Sequence, residues 1–259
     1  MDLVLSRREE RLVRSLRQRR AREAEGLFLA EGVRAVEDLL ASPLPVRLAV
    51  AASSLGDTPR GQALLHLLAA RGVAVRKTGE RELAALADTE TPQGILAVAP
   101  IPAAGLEALR MEGDGPAVVL VLDAVQDPGN LGTLARTAEA LGAAGLVALP
   151  GTVDPWNPKS VRAAMGSTFR LPVVEAGWDA LAPFLRERGA QTLAAVVGGQ
   201  PLADDRPRRA ALVLGNEGAG VGDETRARAD RDVGIPLRGR AESLNVAAAG
   251  AILLHELLR

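Results

Sequence analysis

Residues 117–122, Ala-Val-Val-Leu-Val-Leu, form an unbroken apolar run closed by Gly115-Pro116 on one side and Asp123 on the other. A strand with one solvated face alternates polar and apolar side chains. A run with no polar position needs cover on both faces, as in the interior of a parallel sheet. The downstream pattern agrees: a helix is expected over 130–141, a strand over 145–149, a short helix over 161–165, a strand over 171–174, a helix over 178–188, and strands over 192–197 and 210–214. A helix over 218–229, a strand over 233–237 and a last helix from about Ser243 complete the series. Such alternation places the chain in the α/β class, with a mostly parallel sheet covered by helices on both sides.

The first hundred residues alternate as well, with helices expected over 6–24, 32–41, 61–71 and 80–86 and strands over 46–51, 73–76 and 94–99. Pro and Gly cluster at 100–105 and again at 112–116, which marks a linker. The expected organisation is a smaller N-terminal α/β domain, 1–107, and a C-terminal domain, 108–259. Phe28, Phe169, Phe184, Trp156 and Trp178 are the only aromatic residues, so Ala, Val and Leu must fill the interior and any base-stacking platform is sparse.

The net charge of −1 gives no global nucleic-acid signal. Its distribution says more. Arg7, Arg8, Arg11, Arg14, Arg17, Arg19, Arg20 and Arg22 face only Glu9 and Glu10, a local excess of six positive charges. The helix carrying them is either a solvated surface helix or one that meets an RNA backbone. With no Cys, disulfides and thiolate metal sites are excluded, and His66 and His255 stand in no metal-binding spacing, so no metal is expected. The N-terminus has no signal-peptide core, and the longest apolar run, 246–254, is far below the roughly 20 residues that span a bilayer. A cytoplasmic protein with no membrane partner is expected.

Three segments that follow strands hold residues a core does not require. In the first, Asp127-Pro128-Gly129-Asn130 reads as a turn ending in a helix cap, with Asn130 as the capping residue. Arg136, six residues on, has a side chain long enough to reach back toward the helix N-terminus, where a guanidinium would reinforce an anion site. The second holds Gly215, Asn216, Glu217, Gly218, Gly220 and Gly222. Its glycine spacing fits neither a dinucleotide fingerprint nor a P-loop, since Asp223 stands where a third glycine is needed and no Gly-Lys pair follows. The third runs from Ile235-Pro236-Leu237 to Ser243-Leu244-Asn245 and places polar groups at the mouth of an apolar helix. Each has an ordinary reading as an exposed Arg, a glycine turn or a cap. Together they lie where parallel sheets bind ligands, beyond the carboxyl ends of strands.

Asn130-x-Gly132-x-x-x-Arg136-x-Ala138, Leu214-Gly215-Asn216-Glu217-Gly218, and Ile235-Pro236-Leu237 with Ser243-Leu244-Asn245-Val246-Ala247 resemble, in order and spacing, the three motifs of the SpoU/TrmH class of RNA ribose 2'-O-methyltransferases. The likeness spans about 120–258. Phe28-Leu29-Ala30-Glu31-Gly32 and Thr91-Pro92-Gln93-Gly94-Ile95 are similar to signatures of that family's N-terminal RNA-binding substrate domain. The resemblance implies a C-terminal trefoil-knot domain, an exception to the usual absence of knots, and a homodimer formed through it. It also implies S-adenosylmethionine held at Gly215, Asn216, Gly218, Ile235, Leu237, Leu244 and Asn245. The reacting groups it implies are Arg136, Asn130, Glu217, Ser243 and Asn245.

By the same resemblance the substrate is structured RNA. Large-subunit ribosomal RNA is favoured, because the extra N-terminal domain looks more like the rRNA-modifying members than the tRNA-modifying ones. A tRNA ribose methyltransferase and a non-catalytic RNA-binding homologue are the alternatives. Arg136 is expected to hold a phosphate and activate the ribose hydroxyl electrostatically, since a guanidinium stays protonated in proteins.

Overall fold

The computed structural model of the chain describes residues 3–202 and 206–259 and divides into two units. The first runs to Pro102 and takes in Trp156–Arg170; the second comprises Ala103–Pro155 and Leu171–Arg259.

In the first unit the elements are β1 (Leu3–Val4), α1 (Arg7–Ser15), α2 (Arg19–Glu25), β2 (Leu27–Glu31), α3 (Val33–Ala41), β3 (Leu48–Ala52), α4 (Pro59–Ala70), β4 (Val75–Thr78), α5 (Glu80–Leu86) and β5 (Ile95–Pro100). The sheet order is β1-β4-β3-β5-β2, with β5 antiparallel to both neighbours and the remaining pairs parallel. The single helix expected over 6–24 is two helices. Leu16 closes α1, and Gln18 is extended at φ −97° and ψ 134°. Arg22 is only 2% exposed and its Nη1 donates to the Leu16 carbonyl at 2.8 Å, satisfying a carbonyl that the helix end leaves open. One arginine of the basic run is therefore structural. Val13 and Leu16 anchor the pair of helices against Leu27, Leu29 and Val50.

Strand β2 was not expected. Five residues between Gly26 and Gly32 are too few for periodicity to tell strand from helix. The stretches 28–32 and 91–95 interlock around it. The Gly32 N–H donates to the Ile95 carbonyl at 3.0 Å, and Gln93 Oε1 accepts from the Val33 N–H at 3.0 Å, capping α3 where Gly32 has no side chain to do so.

The second unit opens with β6 (Ala117–Leu122), α6 (Pro128–Ala140) and β7 (Gly145–Ala148). The chain then enters the first unit, where α7 (Pro158–Ala164) lies against β2. There Phe28 packs on Trp156 and Phe169 with ring centroids 4.7 and 5.6 Å apart, and Arg162 pairs with Asp88 at 3.1 Å. Back in the second unit come β8 (Val173–Glu175), α8 (Trp178–Glu187), β9 (Gln191–Gln200), β10 (Arg209–Leu214), α9 (Asp223–Arg228), β11 (Arg231–Val233) and α10 (Val246–Leu258).

The six strands are all parallel, in the order β11-β9-β10-β6-β7-β8. No residue of β6 exceeds 7% exposure, as its apolar run demands. Val119, Val121 and Val213 face Trp178, Leu181 and Leu185 on one side. Leu214, which alternates with Val213, meets α10 on the other. A Cβ at Gly250 would stand 2.5 Å from Leu134 Cδ2 and 2.6 Å from Leu214 Cδ1, so glycine lets α10 settle against α6 and the sheet.

Among the boundaries that differ from expectation, two have plain local reasons. Residues 215–222 form a loop, and α9 begins only after Gly222. Strand β11 ends at Val233, before Pro236, which has no N–H to give to a ladder.

Candidate active site

Strands β6 and β10 are neighbours, yet the chain leaves β6 toward β7 and leaves β10 toward β11, on the opposite side of the sheet. Loops that part in this way open a crevice at the carboxyl ends of the strands. Here those loops are 123–127 and 215–222, and each is held by its own polar groups. Asp123 Oδ2 accepts from the Gly222 N–H at 2.8 Å and from Thr225 Oγ1 at 2.7 Å, and Thr225 Oγ1 accepts from Trp178 Nε1 at 3.1 Å. Asn216 Oδ1 accepts from the N–H groups of Gly218 and Ala219, both at 2.9 Å, while its Nδ2 donates to the Ala124 carbonyl at 2.9 Å. Ala124 is held at φ 58°, a left-handed conformation that a non-glycine residue adopts only where its surroundings fix it.

Asn130 is not the helix cap. Asp127 is: its Oδ1 accepts from the Asn130 N–H at 2.9 Å, with Pro128 at the first helical position. The Asn130 side chain is thereby released for another task. Its Nδ2 donates to Glu217 Oε1 at 3.0 Å and its Oδ1 accepts from Asn245 Nδ2 at 3.1 Å. Asn245, rather than Ser243, caps the last helix, with Oδ1 accepting from Ala247 and Ala248 at 2.9 and 3.3 Å. One amide relay therefore joins the three segments singled out in the sequence.

Glu217 closes the relay by accepting from the backbone N–H groups of Gln126 and Asp127, each at 3.1 Å. Partial burial pushes its pKa up, but the bonds from Asn130, Gln126, Asp127 and its own backbone outweigh that, and the carboxyl titrates below its ordinary value. A carboxylate with a lowered pKa adds stability above its unfolded pKa and loses it as pH falls through the folded one. Glu217→Gln is expected to melt below wild type at pH 6, with the gap closing as pH drops below about 4. Thermal melts of both proteins from pH 6 to pH 3 test this; a gap independent of pH would remove the charge from the account.

The other candidate residues surround the relay along the sequence. Gly215 is buried; a Cβ there would lie 2.1 Å from the Gly220 carbonyl carbon. Arg136 is exposed on α6, past Asn130. Ser243 is exposed in the segment between β11 and α10, along with Leu237 and Leu244, which are 37% and 38% exposed; Ile235 in the same segment is half-buried. Residue types alone missed Asp123, Thr225 and Trp178. The Asp127-Pro128 pair, with Pro fit for a first helical turn, was the available sign that the cap lies at 127.

Residues 117–255 match the model of the SpoU rRNA Methylase family, and residues 11–97 match that of the MRM3-like substrate binding domain. The chain is 37% identical over 246 residues to the Bacillus subtilis 23S rRNA (guanosine(2553)-2'-O)-methyltransferase RlmP, covering 94% of this chain and 93% of that protein. It is 31% identical to the 23S rRNA (uridine(2479)-2'-O)-methyltransferase of Streptomyces viridochromogenes, over 94% of this chain and 86% of the other. Among solved structures it is similar to the SpoU methyltransferase AviRb from Streptomyces viridochromogenes in complex with AdoMet, with a TM-score of 0.86, 28% identity, and 98% and 97% of the two chains covered.

Proposed function

This chain belongs to the SpoU rRNA methylase family, and from that premise we propose that it transfers a methyl group from S-adenosylmethionine to a ribose 2'-hydroxyl of large-subunit ribosomal RNA. The observation that carries the reading is the Asn245–Asn130–Glu217 relay, which ties three separate segments together beside a glycine loop at the switch point of the sheet. The rRNA substrate is favoured over tRNA because the similarity to rRNA enzymes runs through the first unit as well as the second. The two relatives act on a guanosine and a uridine, so what they share is the ribose.

The residues fit S-adenosylmethionine. Gly215 lets the 215–222 loop close on its own Gly220–Val221 backbone, the exposed stretch 218–220 of that loop offers backbone a ligand can approach, and Leu237 and Leu244 offer exposed apolar surface for its adenosyl part. Ile235, Asn216, Gly218 and Asn245 complete this assignment. When bound, S-adenosylmethionine supplies an electrophilic methyl group for in-line displacement by the ribose oxygen. The chain's own work is alignment and charge. Arg136 holds the neighbouring phosphate and favours the ionised hydroxyl, whose proton is given up to solvent water as the oxygen–methyl bond forms and the sulfur–methyl bond breaks. Glu217, ionised and already accepting several hydrogen bonds, is a weak base whose task is to fix the Asn130 amide. Asn130, Ser243 and Asn245 orient the ribose.

The C-terminal segment is proposed to be knotted. After β11 at the sheet edge, the chain returns to lay α10 against α6, β6 and β10 at the centre. The outer side of α10, where Ala248 and Ile252 are exposed, is proposed to be covered by a second copy in a homodimer. No helix among the described residues is long and apolar enough to cross a membrane. A cytoplasmic location is proposed on separate ground, the ribosomal RNA on which the relatives act.

The test is calorimetry with S-adenosylmethionine, followed by transfer of labelled methyl to 23S rRNA with the product mapped by resistance to alkaline cleavage, which a 2'-O-methyl group confers. Saturable binding and one protected linkage are expected. Absence of cofactor binding, or label on a base, would overturn the proposal.

A further inference from the structure

Arg8, Arg11, Leu12 and Ser15 follow one another at helical spacing along one side of α1. Opposite them stand Arg47 at the start of β3 and Arg76 on β4, and between the two sides runs a groove of about 700 Å³. Leu48 and Val98, both nearly inaccessible, line it with Leu12.

The charges of the groove are unevenly satisfied. Arg76 Nε donates to Glu9 Oε1 at 2.7 Å, and Glu9 also accepts from Ser6, so that carboxylate is fully engaged. Arg76 Nη1 is buried with no hydrogen-bond partner among the described residues. Arg8 and Arg47 form no ion pair among the described residues, and Arg11 donates only to the Arg7 carbonyl at 3.3 Å. Glu25 is the one other acidic residue at the groove. Elsewhere in the basic run Arg14 pairs with Glu10, Arg19 pairs with Glu23 and Arg22 is buried, while Arg7, Arg17 and Arg20 are exposed but lie outside the groove.

We infer that this groove grips the sugar-phosphate backbone of the RNA substrate, with Arg8, Arg11 and Arg47 each bonding a phosphate and the buried Arg76 Nη1 turned to the same chain. The inference rests on the reading of the protein as an RNA methyltransferase and gives that reading a location for substrate binding. A buried guanidinium N–H without an acceptor is costly, and a phosphate oxygen is the acceptor that planar guanidinium groups match best. The volume lies within the range of small-ligand sites and accommodates about one or two nucleotides. No aromatic residue lines the groove, so it has no platform for stacking bases. Recognition there is of backbone and shape, and bases are read elsewhere.

The test compares two triple variants of the full chain. One is Arg8→Gln, Arg11→Gln, Arg47→Gln; the other, Arg7→Gln, Arg17→Gln, Arg20→Gln, removes as many exposed charges outside the groove. Arg76 is left in place because it holds Glu9. Filter binding to a 23S rRNA transcript at several salt concentrations, methyl transfer to it, and thermal melts are measured for each. The groove variant is expected to bind at least tenfold more weakly. Its slope of log affinity against log salt should be shallower by about two to three, at about 0.7 to 0.9 for each phosphate the groove no longer neutralises. Its KM for RNA should rise with kcat and melting temperature unchanged, while the control stays within about threefold of wild type. Equal losses in both variants, or wild-type affinity in the groove variant, would overturn the groove. Should the wild type bind RNA through the groove yet transfer no methyl, the groove stands and the proposed reaction falls.

Discussion

Arg136→Ala is expected to lower methyl transfer about a thousandfold while S-adenosylmethionine affinity stays within about threefold of wild type. The first half of the expectation comes from charge. Removing one preorganised donor from a developing oxyanion costs about 10² to 10³ in rate, or about 3 to 4 kcal/mol of barrier. The second half comes from position. Arg136 stands on α6 six residues past Asn130, outside the 215–222 loop. It is also exposed, so truncation leaves the fold standing. Arg136→Lys separates charge from shape, because lysine keeps the charge but loses the two-pronged fit to phosphate. An intermediate rate is expected. Single-turnover methylation with saturating cofactor, beside calorimetry, reads both quantities, and an alanine variant within tenfold of normal turnover would remove Arg136 from the chemistry.

The second half of the fold was legible because its physics is repetitive. An apolar run such as 117–122 has few solutions, and the alternation around it leaves a parallel sheet as the consistent one. The three site segments were visible for the opposite reason, since each spent polar or glycine residues where packing asked for none. What stayed hidden depended on partners far away in sequence. The 158–164 helix reads as one more element of the second half, yet its neighbours are β2 and Phe28, and no local spacing reports which core a short helix fills. Trp156 and Phe169, flanking it in so aromatic-poor a chain, were the trace it left. The basic run was similarly opaque: from sequence its arginines look alike, and only burial separates Arg22, a structural donor, from Arg8 and Arg11 in the groove.

The glycine loop yields the second large effect. Gly215→Ala is expected to weaken S-adenosylmethionine binding at least a hundredfold, whereas Gly218→Ala retains the fold. The cause at 215 is space and not backbone conformation, since Gly215 is not among the glycines of positive φ. An added Cβ would stand 2.1 Å from the Gly220 carbonyl carbon, 2.2 Å from the Val221 nitrogen and 2.3 Å from the Gly220 oxygen. Those atoms are backbone and cannot rotate aside. They are also pinned, because Asn216 and Gly220 exchange two backbone hydrogen bonds at 2.8 and 2.9 Å and Asp123 holds the Gly222 N–H. Admitting the methyl therefore means opening the loop, with loss of the Asn216 bonds to Gly218 and Ala219 and displacement of Glu217 between them. At Gly218 the nearest atom to a new Cβ is Asn216 Oδ1 at 3.6 Å, an ordinary contact. A large loss of cofactor affinity in Gly218→Ala, with an unchanged melting temperature, would thus report the ligand itself lying against that backbone. Wild-type affinity in Gly215→Ala would instead show that the cofactor does not depend on this loop.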